Sequence, residues 1–298
     1  MIGIGGDLVV VSLSGGLGNQ LFQYATGLAT ATRKRSTLYL DITGFATEPL
    51  RQYELDNFPI LAQIAPPQLT RRFRGSLHTR TYKRRINKLL PLKRWQWIAE
   101  RPGRFEPDLG AKRGHLYLEG HWQSERYFEF MKNEVRQQFT QIRALDRQNQ
   151  ALADQITAVP AVALHVRRGD YVQNPTTNHV HGICSLAYYK QAIEYVAQFE
   201  PAMQLFIFSD DPDWVQEQLH FRFPSYVVAV NSAKNGHLDL RLMSLCRHHI
   251  IANSSFSWWG AWLATHPQQK VCAPAQWFRN YPFDIEHIIP DRWHLIQG

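Results

Sequence analysis

Short unbroken apolar runs alternate along this chain with longer stretches of helix-compatible residues. An apolar run without polar interruption reads as a strand buried on both faces of a parallel sheet. Leu8 to Leu13 is the first such run; a glycine turn follows, and the alanine-rich Gln20 to Arg33 predicts a helix. Leu38 to Asp41 predicts a second strand, residues 71–94 read as helix with loops, and Leu116 to Glu119 is a short strand enclosed by glycines. Tyr127 to Ile156 is largely helical, with Pro160 as punctuation. Further strands are expected at Ala161 to Val166, Leu205 to Ser209, Tyr226 to Val230, His249 to Asn253 and Lys270 to Ala273. Strands alternating with helices build right-handed β-α-β units, so the expected class is α/β. At 298 residues two Rossmann-like domains are expected, residues 1–157 and 158–298.

Composition narrows the classes. A hydrophobic fraction of 44% fits a soluble globular enzyme, and no run of eighteen apolar residues is present. Met1 to Asp7 lacks the charged start and apolar centre of a signal peptide, so a cytoplasmic location is expected. Cys184, Cys246 and Cys272 are far apart with no Cys-x-x-Cys pair, which argues against a disulfide framework and a cysteine zinc site. The net charge of +8 is concentrated: Arg71, Arg72, Arg74, Arg80, Lys83, Arg84, Arg85, Lys88, Lys93 and Arg94 fall in one stretch without an acid. Leu77, Ile86, Leu89, Leu90, Trp95 and Trp97 could lay an apolar face beneath these cations, which permits docking on an anionic membrane. A solvated basic face is the other reading. Nucleic acid is not expected as a partner, because no helix-turn-helix, zinc-finger or RNA-recognition signature accompanies the charge.

Four motifs fall where strands end. After Ala161 to Val166 come Arg167, Arg168, Gly169 and Asp170; two guanidinium forks suit the oxygens of a diphosphate, with one arginine expected to pair with Asp170. After the first strand, Ser14 to Tyr24 supplies Gly15, Gly16 and Gly18 followed by Asn19 and Gln20. The glycines allow close approach of an anion to a helix N-terminus, although neither a P-loop nor a complete dinucleotide fingerprint is present. The third motif is Asn253, Ser254, Ser255, Phe256 and Ser257 leading into Trp258, Trp259 and Trp262, a second anion cradle with tryptophans suited to packing. The fourth is Asp210-Asp211-Pro212-Asp213, where a carboxylate can accept from guanine or simply cap the helix after Pro212. A metal role for these acids is not favoured, since arginines and helix N-termini can already neutralise a diphosphate. His179, His181 and Cys184 lack a fourth ligand for zinc; a loop histidine facing an acceptor hydroxyl is the preferred reading.

Together, His165 to Tyr171, Gly15 to Tyr24, Gly120 to Phe128 and the run from Asp239 to Leu263 resemble the α-1,2-fucosyltransferase family over nearly the whole chain. The resemblance implies a GT-B architecture with two Rossmann-like domains facing a cleft, the first mainly on the acceptor side and the second binding GDP-β-L-fucose. It implies an inverting galactoside α-1,2-fucosyltransferase that moves fucose to the 2-hydroxyl of a galactose-type residue, in an oligosaccharide or lipid-linked glycan, with no metal required. Animal members carry a membrane anchor; this chain looks like a bacterial cytoplasmic form, with the basic stretch as a peripheral contact at the inner membrane face. By resemblance, Arg167 holds the diphosphate as the sugar leaves, and His165 with one of Asp210 or Asp211 contacts guanine and ribose. Gly16, Gly18, Gln20, Arg168, Asn253, Ser254, Ser255, Phe256 and Ser257 complete the donor site, and Asn19 bridges donor phosphate to the N-terminal half. Trp122, Gln123, Glu125, Tyr171 and His181 fall on the acceptor side. The general base stays open among Asp170, Glu125, Asp41 and His181, or is absent if the leaving phosphate takes the proton; the glutamate of the related α-1,6 enzymes has no counterpart at Pro175.

Overall fold

A computed structural model describes residues 6–74, 95–101, 104–141, 144–280 and 287–298. The chain forms two compact units that divide between Gln138 and Phe139. The first contains a five-stranded sheet of β1 (Leu8–Ser12), β2 (Thr37–Asp41), β3 (Gln63–Ile64), β4 (Trp95–Ala99) and β5 (His115–Glu119). Its order is β3-β2-β1-β5-β4 with every pair parallel. All five residues of β1 are buried, as its apolar run requires, because sheet lies to either side and helix Leu17–Lys34 packs on it. Gly27 makes that contact close: a Cβ there would stand 2.4 Å from Cγ2 of Val11.

Strand β4 was not expected. Trp95 and Trp97 belong to it and pack with Phe73 around Tyr117. Arg71, Arg72 and Arg74 lie on helix Pro67–Arg74, and the Arg72 guanidinium is 4.8 Å from the Trp95 ring centroid. The other cations of the basic stretch, Arg80 to Arg94, lie outside the described residues.

The second unit holds β6 (Ala161–Val166), β7 (Gln204–Ser209), β8 (Ser225–Val228), β9 (His248–Ile250), β10 (Val271–Pro274) and β11 (His294–Ile296). Their order, β11-β10-β9-β6-β7-β8, is all parallel and is the doubly wound arrangement of a Rossmann unit. Helix Leu186–Ala197 covers one face through Tyr188, Tyr189, Ala192, Ile193 and Val196. Leu152, Ala153 and Ile156 of helix Arg147–Ala158 pack with Phe206, Phe208 and Met243 of this unit. The expected boundary at residue 157 therefore moves to 138, because that helix buries its apolar stripe against the sheet it precedes. Among the described residues no helix is long and apolar enough to cross a membrane.

Candidate functional site

In each doubly wound sheet, ligands bind beyond the carboxyl ends of the strands where the order reverses. In the second unit this point lies between β6 and β9, and in the first between β1 and β5. Three of the four sequence motifs stand at the ends of β6, β9 and β1, and the fourth, Asp210 to Asp213, follows β7 beside β6.

Past β6, Arg167 Nη1 lies 2.9 Å from Oδ2 of Asp210, which follows β7. The Arg168 backbone N–H donates to the other Asp210 oxygen at 2.8 Å. The same carboxylate explains Gly169: a Cβ there would be 2.6 Å from Oδ2 of Asp210. Arg168 Nε donates to Asp211 at 3.1 Å, and its guanidinium lies 3.8 Å from the Trp214 ring centroid. Asp211 also accepts from the Trp214 N–H and caps helix Pro212–Gln218. The arginine partners are thus Asp210 and Asp211; the side chain of Asp170 lies outside the described residues. The parallel register sets Val166 beside Ser209 and so brings the carboxylates after β7 across to the two arginines.

An aromatic ladder supports Arg167. Its guanidinium centre is 5.4 Å from the Tyr171 ring centroid, Tyr171 stacks on His181 at 4.9 Å, and His181 lies 5.3 Å from Phe278. His181 ends helix Pro175–His181 rather than sitting in a loop. The Tyr171 hydroxyl donates to the Asn253 carbonyl at 3.3 Å, and Asn178 donates to the Tyr171 carbonyl.

Asn253 is buried and its amide is spent internally. Nδ2 donates to the carbonyls of His181 at 2.9 Å, Trp277 at 3.3 Å and Gly182 at 3.4 Å, while Oδ1 accepts from the Cys184 thiol. Ser257 Oγ is likewise turned inward, to the carbonyls of Ala252 and Ser254. Both side chains thus brace the loops around them. Ser254 makes no side-chain cap, so the leading backbone amides of helix Ser255–Leu263 keep their donor capacity, with Ser254, Ser255 and Phe256 beside them. Trp258, Trp259 and Trp262 are buried packing residues.

His165 lies within β6, with its ring 5.7 Å from that of Phe256. Burial, aided by the Arg167 charge and opposed by Asp210, pushes its pKa down to about 4, so the imidazole is neutral near pH 7. Its buried Nδ1 has no hydrogen-bond partner among the described residues.

In the first unit, Gly15 adopts φ +73°, where a Cβ would crowd Nδ2 of Asn19 at 2.6 Å. Gly16 is the N-cap of helix Leu17–Lys34, and Gly18 is buried in its first turn. Asn19 Oδ1 accepts from Gln123 Nε2 at 2.8 Å, which joins the first turn of helix Leu17–Lys34 to the loop after β5. Gln20 is wholly buried; it donates to the carbonyls of Gly15 and Gln52 and accepts from the Glu54 N–H. It braces the glycine loop instead of contacting a donor. Gln23 does similar work, linking Ser14 to the Gly120 carbonyl. Trp122 has no exposed surface and packs edge-on to Tyr127, so its ring cannot be an acceptor platform. Glu125 begins a short 3-10 turn, partly exposed. Asp41 accepts from the Tyr117 hydroxyl and from the N–H and hydroxyl of Thr43, so both its oxygens are engaged within the first unit. Among the described residues no group of three or more His, Cys, Asp or Glu is arranged to hold a metal ion.

A family profile matches nearly the whole of this architecture, from residue 8 to residue 296. The chain belongs to glycosyl transferase family 11. It is 34% identical to the Alpha-1,2-colitosyltransferase of Escherichia coli, over 98% of this chain and 99% of that protein. It is 27% identical to Galactoside alpha-(1,2)-fucosyltransferase 1 of Oryctolagus cuniculus, over 84% of this chain and 62% of that protein. A mutant of Arabidopsis thaliana FUT1, solved in complex with GDP, shares the fold at a TM-score of 0.53, with 11% identity over 89% of this chain and 70% of that one. The family 11 chain is thus a glycosyltransferase of the GT-B type. Gln23, Trp214 and Phe278 are the site-supporting residues that sequence reasoning missed. Gln23, one turn after Gln20 and set between Phe22 and Tyr24, was the available signal.

Proposed function

We propose that the protein transfers L-fucose from GDP-β-L-fucose, with inversion, to the 2-hydroxyl of a galactose-type residue. The observation that carries this reading is the clamped Arg167 at the β6 end, with helix Ser255–Leu263 starting, without a side-chain cap from Ser254, past the neighbouring strand β9. Breaking the anomeric bond leaves negative charge on GDP and positive character on the sugar. Arg167 and the helix end would neutralise the diphosphate, so the reaction is proposed to need no metal. The second unit takes the donor, with Asp210 holding Arg167 and His165 next to Phe256 on the nucleoside side. The first unit takes the acceptor through Asn19, Gln123 and Glu125. With Asp41 committed elsewhere, Glu125, His181 and Asp170 remain for the base, and proton uptake by the leaving phosphate remains the route without one.

The relative matched over its full length supports a second donor. Colitose is L-fucose without its 3-hydroxyl, so one diphosphate site serves either GDP-sugar. Incubation with lactose and each donor, in excess chelator, should release GDP and form an α-1,2-linked trisaccharide detectable by mass spectrometry and NMR. No transfer from either donor would end this reading; activity restored only by manganese would make Asp210 and Asp211 metal ligands.

The basic stretch supports a lipid-linked acceptor. Each Lys or Arg near an anionic bilayer contributes about 1 kcal/mol, screened by salt. Replacing Arg80, Lys83, Arg84 and Lys88 by glutamine should weaken liposome co-sedimentation and spare transfer to lactose. Failure of the unaltered protein to bind anionic liposomes at low salt would discard the membrane role.

A further inference from the structure

We propose that Glu100 is a positioning residue for the acceptor, acting through the strained turn that presents Gln123. The proposal deepens the functional reading given above and rests on it. Glu100 directly follows β4, and its carboxylate spans the turn after β5: Oε2 accepts from the His121 N–H at 2.6 Å and Oε1 from the Trp122 N–H at 2.9 Å. The Glu100 N–H donates to the Glu119 carbonyl at 2.7 Å, which fixes the carboxylate at the sheet edge.

The turn it holds is costly. Gly120 has φ +156°, and a Cβ there would lie 2.3 Å from the Glu100 Cβ. Trp122 has φ +55°, a left-handed conformation that is strained for a bulky residue. Its buried indole N–H has no hydrogen-bond partner among the described residues, a further penalty. Such costs persist only where surrounding contacts impose them, and two charge-assisted hydrogen bonds from one carboxylate supply that here.

The result is the placement of Gln123. Its Nε2 reaches Asn19 Oδ1 across the point where the sheet order reverses, where a ligand is expected. The pair offers uncharged donors and acceptors, the chemistry that sugar hydroxyls require. Glu100 touches neither member of the pair in this chain of bonds; it sets the backbone from which Gln123 extends.

The test is Glu100→Gln, which keeps the volume but turns one acceptor into a donor facing an N–H. The lactose KM should rise about tenfold, the equivalent of one lost hydrogen bond, while the KM for the GDP-sugar stays within twofold. Adding Glu100→Gln to Gln123→Ala should raise the lactose KM less than twofold further, because the route through Gln123 is already broken. Amide hydrogen exchange should quicken at residues 120–123 and at residues 15–19. An unchanged lactose KM, fully multiplicative effects of the two substitutions, or unaltered exchange in residues 15–19 would overturn the proposal. Should the unaltered protein transfer neither fucose nor colitose, the functional reading has failed separately, and exchange, which needs no turnover, decides the role of Glu100.

Discussion

Replacing Arg167 by alanine is expected to lower kcat roughly 10²–10³-fold, the loss typical when one donor to developing negative charge is removed. The Arg167 guanidinium is 22% exposed and its partner Asp210 25%. A pair this open contributes at most about 1 kcal/mol to stability. Melting should therefore shift by only a few degrees while catalysis collapses. Arg167→Lys should recover little. One ammonium cannot contact Asp210 and a phosphate in the plane of a guanidinium fork, nor lie flat over Tyr171. Steady-state kinetics with the GDP-sugar, alongside circular dichroism of each variant, would check this. A correctly folded Arg167→Ala enzyme within threefold of normal turnover would remove Arg167 from the chemistry.

What the sequence revealed follows from which interactions are local. Strands β1 and β6 were legible because a strand buried on both faces must be apolar throughout, and strand ends then located Arg167, Asp210, Asn253 and Asn19. Strand β4 was not legible, since Trp95 and Trp97 follow directly on the cations and read as their apolar underside. β11 has only three residues, too few for a pattern. Side-chain destinations were the least legible. Asn253 and Gln20 have the chemistry of ligands, and nothing in their neighbours along the chain says that their amides are consumed by Trp277 and Gln52. The sequence could not show the proximity of Asp210 to Arg167, because it arises from pairing of β6 with β7, whose partners are 43 residues apart. Gly169 drew the correct emphasis for an incomplete reason: the close approach seen is that of Asp210.

The two roles open to Asn253, phosphate ligand or internal brace, predict opposite behaviour in the absence of any nucleotide. Its Nδ2 faces three carbonyl oxygens and its side chain is buried, so Asn253→Asp would set a carboxylate against three acceptors. Burying an unpaired charge in that way costs roughly 3–5 kcal/mol. Asn253→Ala leaves three carbonyls without this donor and opens a small void, at about 2–3 kcal/mol. At roughly 3 °C per kcal/mol, the unliganded protein should melt about 10 °C lower for the aspartate and somewhat less for the alanine. Because the Tyr171 hydroxyl is held by the Asn253 backbone carbonyl, Arg167 keeps its aromatic support in the alanine variant at low temperature, and GDP affinity there should fall less than threefold. Calorimetric melts without nucleotide, with GDP titrations well below the transition, separate the cases. A variant that melts like the unaltered protein yet binds GDP tenfold more weakly would return Asn253 to the phosphate.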